Sequence, residues 1–165
     1  MAALTSNCVV PFSLTKRNDI GVAYANVYLS ASPVPKYIPQ FVNVGSSVLF
    51  NKFTKLASIA WLKPDELTFL QNGSFRVQFF INFTNNFGKL QLALFVNGLQ
   101  VAQTFGTVGG TTFNGGQVNG EFTVKVSIGD VIRLVNVGSL FVVAGTGIDT
   151  QVLANLTVTE ITMPG

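Results

Sequence analysis

The sequence predicts an all-β sandwich of the jelly-roll type, built from nine or ten short antiparallel strands. Three observations support this prediction: apolar and polar residues alternate, glycine-bearing turns recur every few residues, and no window sustains a 3.6-residue periodicity. Many short strands joined by such turns are typical of sandwiches and jelly rolls. With 165 residues the chain has the size of one domain, which buries roughly 68–70% of the surface that its unfolded form exposes.

The first forty residues are expected to form an irregular lead-in or arm. They hold four of the six prolines, and proline disfavours the interior of both helices and sheets. We therefore place only one possible edge strand there, around residues 25–30. The jelly-roll domain is predicted over residues 41–165.

From Gly45 onward strands and turns alternate regularly. Strand candidates lie at 47–53 and 58–62, and Pro64-Asp65 opens a turn. The strongest strand is GSFRVQFFINF, residues 73–83, because its side chains divide cleanly into two faces. The apolar face holds Phe75, Val77, Phe79, Ile81 and Phe83, and the other face holds Arg76, Gln78, Phe80 and Asn82.

A hairpin is predicted for LQLALFVNGLQVAQTF, residues 90–105, because Asn97-Gly98 readily adopts the positive φ angles of a type I′ turn. A glycine-rich loop is expected over 106–120. The next strand continues to about residue 128 with its apolar residues on one face, and Gly129-Asp130 turns it into a partner strand from Val131 to about Val135. The stretches SLFVVAG and QVLANLTVTEI supply the last strands. The predicted apolar face of the strand before the turn comprises Phe122, Val124, Val126 and Ile128.

Several apolar side chains are left on predicted outward faces. Only 10% of the residues are charged, whereas an ordinary domain has roughly 25%, so few charges remain to solvate those faces. Exposed apolar patches usually mark contacts, and covering them is favourable at about 25 cal/mol per Å². We therefore predict self-association through these side chains. The predicted interface set is Phe80, Phe95, Val131, Val135 and Phe141.

The residue inventory argues against catalysis, so we expect neither enzyme activity nor a cofactor. The chain has no histidine, which excludes Ser-His-Asp and Cys-His arrangements and leaves zinc only Cys8 and carboxylates. The seven acidic residues lie mostly at predicted turns. Calcium binding near Asp149 stays open, although a plain turn explains that stretch more simply. Cys8 is the single cysteine and cannot form an internal disulfide.

Two classes of partner are disfavoured by charge and hydropathy. The net charge is +3, and the basic residues are scattered rather than arranged in the stripe that nucleic-acid binding requires. No stretch approaches the roughly 20 apolar residues of a membrane-spanning helix. We expect neither nucleic-acid binding nor membrane insertion.

Three stretches of the chain together form a pattern that is known from other proteins. They are FLQNGSFRVQFFINF at 69–83, LFVNGLQV at 94–101 and VKVSIGDVIRLVN at 124–136. Their order and glycine positions resemble the signatures of the C1q/tumour necrosis factor-like superfamily. That resemblance implies a ten-stranded jelly roll assembled as a compact trimer. The loops rich in glycine, threonine and asparagine are most similar to the C1q-like heads of bacterial collagen-like spore-surface (exosporium) glycoproteins. No Gly-X-Y repeat occurs in this sequence.

The resemblance implies a homotrimeric, non-enzymatic head on a cell or spore surface. Such a head would end a filament, drive trimerisation and present loops for adhesion or ligand contact, with a collagen-like stalk or another spore-coat protein as partner. Two alternatives stay open. One is a jelly-roll capsid or fibre protein of a virus or phage, and the other is a lectin-like sandwich in which Trp61 and Tyr37 would stack on sugars. A core position for Trp61, between Ala60 and Leu62, is the simpler interpretation.

Overall fold

The computed structural model describes residues 22–30, 40–84, 90–107, 116–143 and 152–161, with only the backbone described at 84 and 102–107. These residues form twelve strands and no helix. The strands are β1 Tyr24–Ser30, β2 Gln40–Val42, β3 Lys52–Ala57, β4 Ile59–Lys63, β5 Glu66–Phe69, β6 Gly73–Thr84, β7 Leu90–Val96, β8 Leu99–Thr107, β9 Gly116–Val126, β10 Val131–Asn136, β11 Phe141–Val143 and β12 Val152–Glu160.

The strands form two antiparallel sheets that pack into a sandwich. The seven-stranded sheet has the order β2-β11-β6-β12-β1-β3, with β9 on the opposite side of β6. The five-stranded sheet has the order β4-β5-β10-β7-β8. Strands β2 and β11 have three residues each and pair with each other beside the end of β6. The described residues form more strands than the nine or ten predicted, and the all-β jelly-roll prediction is confirmed.

The core is formed where the inner faces of the two sheets meet. The alternation predicted for β6 is confirmed, because its five apolar residues from Phe75 to Phe83 are all buried. Phe75 on β6 meets Phe69 on β5 across the sandwich, with ring centroids 4.6 Å apart. Within the seven-stranded sheet, Phe79 stacks on Phe122 of β9 at 5.8 Å. The aromatic residues therefore join β6 both to the opposite sheet and to the neighbouring strand β9 of its own sheet.

Three expectations about the strands are wrong in detail. Strand β1 pairs with both β12 and β3, so it lies inside the sheet rather than at an edge, and residues 22–30 of the predicted lead-in belong to the sandwich. Residues 116–120 begin β9 rather than extending the glycine-rich loop. Residues 48–51 lie outside any strand, and the predicted 47–53 strand is replaced by β3, starting at Lys52.

The two ends of the sandwich differ in the chain segments that they carry. At the end that we call the terminal end lie residues 22–23, the turns at 58, 70–72, 97–98 and 127–130, and residue 161. Glu160 N donates to Ala23 O and Ile161 N donates to Ser74 O, so both ends of the described chain lie here. The opposite end, the loop end, holds the strand ends that flank residues 31–39, 85–89, 108–115 and 144–151.

The hairpin turn at the terminal end has the backbone that its sequence predicts. The φ angles are 50° at Asn97 and 80° at Gly98, which is the left-handed region. An added Cβ at Gly98 would meet nothing within 4 Å, so alanine there costs only backbone strain. We expect Gly98→Ala to lower the free energy of unfolding by about 1 kcal/mol in urea titrations. The exposed Gln100→Ala on β8 should change it by less than about 0.5 kcal/mol, and equal effects would contradict this explanation.

Candidate functional site

The outer face of the seven-stranded sheet carries aromatic rings set among short polar side chains. The register places Tyr28, Asn155, Phe80 and Asn119 in one row across β1, β12, β6 and β9. Tyr28, Asn155 and Phe80 are half-buried in the single chain. The side chain of Phe80 points outward because Phe79 and Ile81 on either side of it are buried in the core.

The polar groups of this face are hydrogen-bonded to one another. Asn26 Nδ2 donates to Thr157 Oγ1 at 2.8 Å, and Thr157 Oγ1 donates to Asn155 Oδ1 at 2.9 Å. Thr54 Oγ1 donates to Asn26 Oδ1 at 2.9 Å, which extends the network to β3. Burying a polar group costs little when its hydrogen bonds are already made within the chain. This face can therefore be covered by another surface without leaving these amides and hydroxyls unpaired.

Both outer faces carry charges, but the five-stranded sheet carries more of the ion pairs. Among the described residues, one ion pair on the seven-stranded sheet joins Arg76 Nε to Glu121 Oε1 at 3.3 Å, whereas three ion pairs cluster on the five-stranded sheet. Arg133 pairs with Glu66, and its Nε lies 3.7 Å from Asp65 Oδ2. Lys63 Nζ lies 2.9 Å from Glu66 Oε2. Phe95 stands directly opposite Arg133 in the register, on the neighbouring strand β7. Interface cores are depleted of charged residues. This face consequently fits an interface between copies less well than the opposite one.

The five residues of the predicted interface do not lie on one surface. Phe80 lies on the outer face of the seven-stranded sheet, whereas Phe95 and Val131 lie on the outer face of the five-stranded sheet, and all three are half-buried. Val135 and Phe141 are 6% and 0% exposed in the single chain. Val135 bridges to Ser47 and lies opposite Ala93, and Phe141 lies on β11 between β2 and β6. Neither buried side chain can contact a second copy, so we remove both from the set.

Sequence patterns missed the contribution of β1 to this surface. Tyr24 and Tyr28 are half-buried on the outer face, while Ala25 and Val27 between and beside them are buried. The same alternation is visible in YANVYLS, but the nearby prolines indicate an edge position for that stretch.

The residues considered for sugar binding are only partly described. Trp61 is half-buried, packs against the core and meets Phe53 edge-on with ring centroids 5.8 Å apart. Phe50, Trp61, Leu62, Lys63 and Pro64 line a pocket of about 210 Å³ at this position. Most of the surface of Trp61 is therefore covered by other side chains, which agrees with a position at the edge of the core. Tyr37, Cys8 and Asp149 lie outside the described residues.

Two of the motifs that suggested the superfamily touch each other at the terminal end. Asn97 of LFVNGLQV donates from Nδ2 to Asp130 Oδ1 at 2.7 Å, and Val131 N donates to Asn97 Oδ1 at 2.9 Å. Asp130 of VKVSIGDVIRLVN also accepts from Ser127 N at 2.7 Å. The asparagine and the aspartate therefore fix the β7-β8 hairpin turn to the turn at 127–130, which is a structural role. The latter turn joins β9 in one sheet to β10 in the other, so the prediction that these two strands are partners is wrong.

This contact predicts a pH-dependent contribution to stability. The hydrogen bond from Ser127 N, followed by that from Asn97, lowers the pKa of Asp130 below its ordinary value of 3.8. A lowered pKa in the folded state stabilises the protein above the unfolded pKa, and this stability is lost as the pH falls through the folded pKa. We expect Asp130→Ala to reduce the free energy of unfolding at pH 7. In urea titrations its deficit should shrink as the pH falls below about 4, and a deficit independent of pH would contradict this assignment.

The described residues offer no group of three or more cysteine, aspartate or glutamate side chains that could hold a metal ion. Within the same residues, no helix has the length and apolar character needed to cross a membrane.

Structural comparison finds C1q and tumour necrosis factor folds. The globular domain of zebrafish complement 1qA protein superimposes with a TM-score of 0.60 at 15% identity, covering 86% of this chain and 99% of that one. The Eiger TNF of S. frugiperda superimposes with a TM-score of 0.67 at 7% identity, covering 87% and 95%. No protein-family model matches the sequence, and no curated protein matches it. The comparisons show that the chain has the C1q/TNF-like jelly-roll fold.

Proposed function

We propose that this chain is a non-enzymatic head that forms a homotrimer and ends a filament on a cell or spore surface. The observation that carries the proposal is the outer face of the seven-stranded sheet, with Phe80 and Tyr28 set among polar side chains that already pair with one another. Aromatic residues are enriched in protein interfaces and charged residues are depleted from their cores. The superfamily resemblance implies the trimer.

Symmetry restricts which surfaces can take part. In a closed ring of three, each copy uses two different surface patches, one for each neighbour. The ring closes only if repeating the rotation that relates neighbouring copies brings the last copy back to the first. Patches on opposite faces of a sandwich point in opposite directions and would stack copies in an open row. Phe80 and Phe95 therefore do not both belong to a closed trimer. We assign the contact to the face of Phe80, because the charge cluster lies beside Phe95.

The difference between the two ends of the sandwich supports a role as a head. Both ends of the described chain lie at the terminal end, where a stalk or anchor would join. The strand ends that flank residues 31–39, 85–89, 108–115 and 144–151 all lie at the loop end. Binding residues are found preferentially on loops held by a rigid scaffold. The loop end is thus the place for contact with a host or environmental ligand.

The narrower proposal is an exosporium-type head whose partner is a collagen-like stalk or another spore-coat protein. It rests on the loops rich in glycine, threonine and asparagine, which resemble those of exosporium heads, and on the low proportion of charged residues in the chain. An antibody against this domain should label intact spores or cells of the source as strongly as permeabilised ones. Labelling that requires permeabilisation would contradict the surface location.

Light scattering on the purified chain tests the assembly. We expect a single species with three times the mass of one chain, stable from about micromolar to millimolar concentration. Large particles or lattices would instead support the capsid alternative. A monomer throughout this range would overturn the proposed head.

A further inference from the structure

A pocket of about 380 Å³ lies on the outer face of the five-stranded sheet and has no part in the proposed function. Pockets that hold small molecules have volumes of about 300–1,000 Å³. The lining comes from β4, β5, β10 and the turn between β7 and β8, so four segments of the chain converge there. The lining residues are Lys63, Glu66, Asn97, Gly98, Val131 and Arg133.

One side of the pocket is formed by charged side chains. Glu66 is 8% exposed, and both oxygens of its carboxylate are engaged, one by Lys63 Nζ and the other by Arg133. The two cations have donors to spare, because an ammonium carries three N–H groups and a guanidinium five. Asp65 Oδ2 lies 3.7 Å from Arg133 Nε, which is too far for a hydrogen bond, and Asp65 is not part of the lining. The lining therefore carries two positive charges and one negative charge.

The other side of the pocket is formed by the turn between β7 and β8. Asn97 is already bonded through its side-chain amide to Asp130 and to Val131 N, so the turn is held in place. An added Cβ at Gly98 would meet nothing within 4 Å, so the space over this turn is open. Val131 is half-buried and adds an apolar wall. An uncharged group of a ligand can therefore lie over the turn while a charged group meets the cations.

We propose that this pocket binds a small molecule that carries a single carboxylate group. The carboxylate accepts hydrogen bonds from Arg133 and Lys63, since its two oxygens match the planar fork of a guanidinium. The uncharged body of the ligand lies over the turn, against Gly98 and Val131. One negative charge balances the excess of one cation in the lining. A phosphate group, with a charge of about −1.5 to −2, would leave excess negative charge beside the buried Glu66.

This inference does not depend on the trimer. The pocket is formed within one chain, and the proposed contact between copies lies on the opposite sheet, around Phe80. A monomeric chain would therefore bind the same ligand, and a trimer without binding would leave the proposed head intact.

A titration with glucuronate, a sugar acid with one carboxylate, tests the proposal on the purified full chain. Ligand-detected NMR measures the binding. We expect saturation with a dissociation constant on the order of 1 mM, because the side chains of Lys63 and Arg133 are 64% and 42% exposed and exposed charges are screened. Glucose, which lacks the charge, should not saturate over the same range. Inorganic phosphate should displace glucuronate only at higher concentrations than glucuronate itself requires.

Two variants test the location of the site. Arg133→Lys keeps a positive charge beside Glu66 but removes the guanidinium fork, and Lys63→Gln removes one cation while Arg133 stays paired with Glu66. Each should weaken glucuronate binding at least about fivefold. The matched control is Lys125→Gln, which removes the same charge at an exposed position on β9 of the other sheet and should leave the affinity unchanged. Circular dichroism checks that all three variants fold.

Four results would overturn the proposal. Glucuronate that does not saturate would remove the site, and glucose that binds equally well would remove the role of the charge. Phosphate that binds as tightly as glucuronate would show a general anion site rather than one for carboxylates. Folded variants at Arg133 and Lys63 that bind like the parent, or no better than the Lys125 variant, would place any binding elsewhere.

Discussion

Replacing Phe80 by aspartate is expected to reduce the solution mass to one third, from trimer to monomer. The ring of Phe80 lies half-buried on the outer face, between Asn155 and Asn119. A carboxylate buried there without a partner costs on the order of 3 kcal/mol per contact, which weakens association by more than about a hundredfold. Multi-angle light scattering during size-exclusion chromatography measures this directly.

The matched control for Phe80→Asp is Phe95→Asp, which introduces the same charge on the opposite outer face. Phe95 is also half-buried and lies beside Arg133. We expect the Phe95 variant to keep the trimeric mass. Both variants should retain the circular dichroism of the parent, since neither side chain is in the core. If Phe95→Asp alone dissociated the assembly, the interface would lie on the five-stranded sheet.

Replacing Phe75 by alanine is expected to lower the free energy of unfolding by about 3–5 kcal/mol, because it opens a cavity in a fully buried site. Phe75 is 0% exposed and packs on Phe69 at 4.6 Å, at the point where the two sheets meet. A loss of this size is a large fraction of the 5–15 kcal/mol that stabilises a typical domain. Urea or guanidinium titration followed by tryptophan fluorescence gives the value.

The control for Phe75→Ala is the same substitution at Phe41 on β2, which is 64% exposed. Removing that ring should change the free energy of unfolding by no more than about 0.5 kcal/mol. Equal losses from the two variants would mean that the core does not lie between the two sheets as described.

The parts of the fold that sequence patterns predicted were those set by local chemistry. The alternation in GSFRVQFFINF identifies β6 and its buried face, because successive side chains of a strand point to opposite sides. Asn97-Gly98 identifies the hairpin, because few residues tolerate two positive φ angles in succession. These features depend on a few neighbouring residues and not on the rest of the chain.

The parts that sequence patterns did not predict depend on distant segments. Alternation shows that Val135 points away from the core side of β10, but it cannot show that the chain buries that side chain again. Proline-rich surroundings suggested an edge for β1, yet β12 and β3 arrive from far along the chain and enclose it. Phe80 and Phe95 both appeared as outward aromatics. Only the strand order shows that they lie on opposite faces.

The most direct test of the central claim is to record which face of the sandwich touches a second copy. A photoreactive phenylalanine analogue would replace Phe80 in one variant and Phe95 in another, and each protein would be irradiated as the intact assembly. We predict covalent dimers and trimers on a denaturing gel from the analogue at position 80, and monomers from position 95. Crosslinked products from position 95 with none from position 80 would contradict the account.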